Sequence, residues 1–78
     1  MRFLPLYILD NLQSWIEAVN ENGIEETRKA IGYHDEPLTG ARKGQRSIRL
    51  NRAYRAIYIV RKENSKFIEI IEINKHDY

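Results

Sequence analysis

The spacing of apolar side chains changes period once along this 78-residue chain, and that change constrains the fold more than any single motif. Over residues 5–21, Ile8, Leu9, Leu12, Trp15, Ile16 and Val19 recur three and four positions apart. That spacing gathers them on one helical face. Pro5 suits the first turn, where a missing N–H costs nothing. Asn22-Gly23 is a stop signal, with Gly23 suited to the left-handed position after a helix. A second helix is expected over roughly 24–31, with Glu25 and Glu26 at its positive end, Arg28 and Lys29 nearer its negative end, and Gly32 closing it. Residues 33–44, punctuated by Pro37, Gly40 and Gly44, read as a loop.

From Gln45 the pattern becomes that of strands. Gln45–Leu50 alternates, and Tyr54–Arg61 and Lys66–Ile73 are rich in β-branched and aromatic residues. Asn51-Arg52-Ala53 and Glu63-Asn64-Ser65 are the intervening turns. Helices followed by consecutive strands predict one α+β domain over 1–78, with an N-terminal helical hairpin packed on a twisted antiparallel β-meander.

A domain of this length buries only about 60% of its unfolded surface, so a partner covering one of its faces would add stability. The chain has no cysteine, which excludes a disulfide scaffold and thiolate metal sites and fits the cytoplasm. It has no apolar run of membrane-spanning length, about 18 residues, so no membrane partner is expected. Met1-Arg2-Phe3-Leu4-Pro5 does not read as a secretory signal.

Charge is strongly segregated. Residues 1–40 hold three basic and seven acidic side chains, a net of −4. Residues 41–62 hold eight basic side chains (Arg42, Lys43, Arg46, Arg49, Arg52, Arg55, Arg61 and Lys62) and no acid. Residues 63–78 return to a net of −2. A one-sign block set within strand patterning points to a polyanion. Arg42, Lys43, Arg46, Arg52 and Lys75 are its candidate phosphate-binding groups.

If the first turn has three residues, Leu50 faces Tyr54 and Arg49 lies directly opposite Arg55. Their Cβ atoms are then about 5 Å apart on one face. Two like charges there favour an anion between them, and the planar fork of arginine can hold two phosphate oxygens. The alternative is that each arginine reaches an acid or splays into solvent. The second hairpin returns Asn74-Lys75-His76-Asp77-Tyr78 towards Arg55. His76 can exchange a proton near neutral pH, and Tyr78 can stack on a base or orient a phosphate. His34-Asp35-Glu36 does not converge on an ion when extended, so no metal or cofactor is expected. There is no glycine-rich phosphate loop, Ser/His/Asp arrangement or dinucleotide fingerprint.

Pro37-Leu38-Thr39-Gly40, Gly44-Gln45-Arg46-Ser47-Ile48-Arg49-Leu50, Ala53-Tyr54-Arg55-Ala56-Ile57-Tyr58 and Lys75-His76-Asp77-Tyr78 occur in that order. Together they resemble the RelE/ParE superfamily of toxins from type II toxin–antitoxin pairs, most closely the HigB-like branch. The resemblance covers residues 33–78. It implies a metal-independent endoribonuclease that cuts mRNA at the ribosome, the 2′-hydroxyl attacking the adjacent phosphate. It implies Arg49 and Arg55 at the scissile phosphate, His76 as general acid and Tyr78 as an orienting group. It also implies a cognate antitoxin, of helix-turn-helix type, joined with the toxin in a hetero-oligomer. The opening strand of many members is not evident before the first helix, and no closing helix follows, so an exposed sheet edge or an attenuated, RNA-binding remnant is a further expectation. Relatives that share the fold as ParE-like gyrase-binding toxins supply a non-catalytic alternative.

Overall fold

The computed structural model describes residues 4–61 and 68–75. Helix α1 spans Leu6–Asn22, so Pro5 stands just before the first turn, and its carbonyl accepts hydrogen bonds from the N–H groups of Ile8 and Leu9. Gly23 ends the helix at φ 85°, a backbone that a side chain would strain, and its N–H closes onto Val19 O at 2.8 Å. Helix α2 follows at Ile24–Arg28.

Helix α2 is shorter than its sequence suggests. The chain leaves helical geometry at Ala30, which is extended, and a 3-10 turn occupies Ile31–Tyr33. Gly32 lies inside that turn instead of closing the helix. Five residues form little more than one turn, which does not sustain itself without packing. Thr27, the buried residue of α2, donates its hydroxyl to Gly23 O at 2.8 Å. His34 then takes a left-handed backbone, φ 47°, and redirects the chain into the sheet.

Among the described residues the sheet has four antiparallel strands in the order β1 (Glu36–Pro37), β2 (Arg46–Arg49), β3 (Tyr54–Val60), β4 (Ile68–Lys75). The segment 33–44 is therefore more than a loop. Glu36 pairs with Ser47 and Pro37 with Arg46, and a second 3-10 turn covers Gly40–Arg42. A proline is compatible with such an edge strand because the outer edge needs no N–H. The expected third long strand runs at Ile68–Lys75, and the expected turn at 63–65 lies outside the described residues.

The β2–β3 turn has the expected three residues. Leu50 N–H donates to Tyr54 O at 2.9 Å, and the Asn51 side-chain oxygen accepts from the N–H groups of Ala53 and Tyr54 at 2.7 and 2.8 Å. An asparagine that satisfies two turn amides fixes turn length, and turn length fixes register. Arg49 accordingly pairs with Arg55, Ser47 with Ile57 and Arg46 with Tyr58. Between β3 and β4, Arg55 pairs with Asn74 and Ile57 with Glu72, with a bulge at the Ile57/Tyr58 step.

Strand alternation sends Ile48, Leu50, Ala56 and Tyr58 to the helix side, where they meet Ile8 and Trp15 in the core. The Trp15 and Tyr58 rings lie 5.0 Å apart, tilted at 51°, and both are buried. Asn11 ties α1 to the end of β2 through a 2.7 Å hydrogen bond to Leu50 O. The hairpin thus covers one face of the sheet. The other carries Glu36, Ser47, Arg49, Arg55, Ile57, Glu72 and Asn74, as the register dictates.

Candidate functional site

Arg49 and Arg55 are cross-strand partners on the helix-free face, as the three-residue turn requires. Their guanidinium groups are held differently. Arg55 Nη1 donates to Ser47 Oγ at 2.9 Å and lies 3.3 Å from Glu36 Oε1. Arg49 Nε donates to Asn51 O at 3.3 Å and, among the described residues, has no ion-pair partner. Among the described residues, one arginine therefore has an acid beside it and the other does not.

Glu36 is the residue that sequence reasoning missed. Its side chain is 60% exposed, so it remains open to solvent and to a ligand while touching Arg55. A signal for its placement was present. The residue before a proline is driven to extended backbone, and a proline in a strand sits on an edge. Glu36-Pro37 therefore had reason to be an edge strand, on whose alternating face the glutamate meets Ser47.

Glu36, Leu38, Ser47, Arg55, Ile57 and Asn74 line a depression of about 360 Å³ on this face. One wall is braced from the loop before β2. Arg42 Nη2 reaches Glu72 Oε1 at 2.5 Å, and Arg42 Nη1 reaches Gln45 at 3.1 Å. Since Glu72 sits opposite Ile57, this bridge crosses the sheet from the β2 side to β4. The Arg42 hydrogen bond, with a second from Asn74, holds the Glu72 carboxyl below its ordinary pKa.

The other basic candidates are dispersed. Arg46 lies on the helix side, where Nε bonds Asp35 Oδ1 at 2.5 Å. The Asp35 side chain is fully buried, and its second oxygen accepts from the Tyr58 hydroxyl. Burial opposes the Arg46 charge, but Asp35 keeps its pKa above the ordinary value. Burial first, and the Asp35 hydrogen bond second, push the Tyr58 hydroxyl up to about 12. Arg46 is thus a structural ion pair, and the structure does not bring it to Arg49 and Arg55. Lys43 and Arg52 are exposed in turns, and exposed Lys75 stands opposite Tyr54 at the end of β4. Arg61 pairs with Glu69.

His76 and Tyr78 lie outside the described residues, as does Lys62. Asn74 and Lys75 do arrive beside Arg55 and Tyr54, the expected return of the tail towards the arginine pair. Asp35 turns into the buried network, and its neighbour Glu36 onto the helix-free face. Among the described residues no helix is long and apolar enough to cross a membrane.

No family model, curated protein or solved structure matches this chain.

Proposed function

We propose that the helix-free face binds and cuts RNA, and that the protein is a RelE-like toxin acting as a metal-independent endoribonuclease on mRNA at the ribosome. The observation that carries this reading is one guanidinium with an acid beside it, Arg55 with Glu36, directly opposite a second guanidinium, Arg49. Such a set offers a proton acceptor and two cations at one phosphodiester.

In this scheme Glu36 takes the proton of the ribose 2′-hydroxyl as its oxygen attacks the adjacent phosphorus. The bond to the 5′ oxygen of the next nucleotide breaks, and His76 protonates that leaving oxygen. The products are a 2′,3′-cyclic phosphate and a 5′-hydroxyl. Arg49 and Arg55 stabilise the extra negative charge of the five-coordinate phosphorus, the role in which fixed cations contribute most. Glu36 must leave the Arg55 guanidinium free for phosphate while staying near it, and its exposure permits that movement. Tyr78 orients the phosphate or stacks on a base. Lys43, Arg52 and Lys75 supply diffuse attraction for the RNA strand. A cognate antitoxin would silence the protein by covering this face.

The test is growth arrest on induction, followed by mapping of mRNA 5′ ends after incubation with translating ribosomes. Arrest with new 5′ ends that disappear in Arg55→Ala supports the reading. Arrest with double-strand DNA breaks and intact RNA supports a gyrase-binding toxin instead. Salt-sensitive RNA binding with neither arrest nor cleavage supports an RNA-binding remnant.

A further inference from the structure

The depression beside Arg55 is mixed in character. Leu38 and Ile57 are apolar, while Glu36, Ser47, Arg55 and Asn74 bring polar atoms to it. Its volume of about 360 Å³ lies at the low end for small-ligand sites, roughly 300–1,000 Å³, so it has room for a single base. Arg55 and Ile57 share a face two residues apart on β3, about 7 Å along the strand. A phosphate gripped by Arg55 therefore has Leu38 and the exposed edge of the largely buried Ile57 in the same depression, against which a base can rest.

Asn74 is held in a defined orientation. Its Nδ2 donates to Glu72, whose other oxygen is held by Arg42. A carboxylate only accepts, so the amide nitrogen must face Glu72 and the carbonyl oxygen is the open end. Asn74 lines the depression and Glu72 does not. With the Glu36 carboxylate on the opposite side, acceptors flank the depression, and the Arg55 guanidinium between them is the group that holds the phosphate.

We infer that this depression is a subsite for one nucleobase bearing an exocyclic amino group, read by the Asn74 carbonyl oxygen. The inference rests on the RNA-cutting reading and makes it specific. Adenine and cytosine place an amino donor on the pairing edge. Uracil's one donor on that edge, N3–H, lies between two carbonyl oxygens, and these would crowd against the Asn74 and Glu36 oxygens. Leu38 and Ile57 supply contact without distinguishing bases. Asn74 is therefore a specificity-determining residue and Arg55 a general phosphate-binding one.

The probes are 2′-deoxy tetranucleotides of adenine, cytosine or uracil, which lack the attacking hydroxyl and bind without being cut. Adenine and cytosine tetramers should bind five- to tenfold tighter than uracil, the effect of one hydrogen bond made or lost. Asn74→Leu, with folding checked by circular dichroism, should bring that ratio close to one. Arg55→Ala should weaken all three probes by the same factor. If RNA is cut but the wild-type ratio is near one, or the preference survives Asn74→Leu, the subsite is overturned and the cutting face stands. If no RNA is cut and no tetranucleotide binds, both are overturned.

Discussion

Arg49 and Arg55 face each other across β2 and β3, yet among the described residues only Arg55 is in contact with an acid, Glu36 at 3.3 Å. Like charges at directly opposed positions destabilise a sheet, by roughly 0.2–1 kcal/mol. Arg49 tempers this by turning its Nε to the Asn51 carbonyl. An anion bridging the two guanidinium groups would offset that cost.

That asymmetry gives the first prediction. Arg49→Ala should leave thermal stability unchanged or raise it by a few tenths of a kcal/mol, because it removes an opposed charge. The same substitution should weaken single-stranded RNA and lower the salt slope of binding by about 0.7, one phosphate contact fewer. Thermal melts and fluorescence anisotropy at several salt concentrations measure the two effects separately. A destabilised variant with an unchanged salt slope would contradict the account.

On the helix side of the sheet, Asp35 joins two elements that sequence alone does not connect. Asp35→Ala strands the Arg46 charge and the Tyr58 hydroxyl in a mostly buried place, at a cost of about 3 kcal/mol or more. In a domain of this size that is a large part of the total stability. Tyr58→Phe removes one hydrogen bond and should cost about 1 kcal/mol. Urea titration of both variants is the check, and equal, small effects would show the network to be dispensable.

Two titrations follow from the same geometry, with opposite signs. Glu72 is held below its ordinary pKa, so its contribution is present above the usual carboxylate range and lost as pH falls through the lowered value. Carbon NMR should show Glu72 titrating below the other exposed glutamates, and moving up in Arg42→Ala. Tyr58 is raised to about 12, so its contribution is complete below the ordinary tyrosine value near 10 and lost as pH rises through 12. Ultraviolet titration should show one of the five tyrosines ionising last, and earlier in Asp35→Asn.

Much of the architecture is legible in short-range pattern. The spacing of Ile8, Leu12, Trp15 and Val19 predicts α1, and the three-residue turn at 51–53 predicts the Arg49–Arg55 register. Long-range partnerships are less visible. Asp35 meets Arg46 and Tyr58 at sequence separations of 11 and 23, and nothing local marks which arginine of a basic block turns to the helix side. Strand parity does mark it once the register is known, since Arg46 and Arg49 are three apart and must face opposite ways. Two residues carry no periodicity, so β1 is marked in the sequence only by its proline, and the placement of Glu36 beside Arg55 is correspondingly faint.

Whether the Glu36–Arg55 face performs the cleavage is tested most directly by single-turnover cutting of mRNA on translating ribosomes with analysis of product ends. Wild type should leave a 2′,3′-cyclic phosphate. Glu36→Gln should slow the cut by about 10²–10⁴ while RNA binding is kept or tightened. Cleavage by Glu36→Gln and Arg55→Ala at the wild-type rate, both variants folded, would contradict a cleaving role for this face.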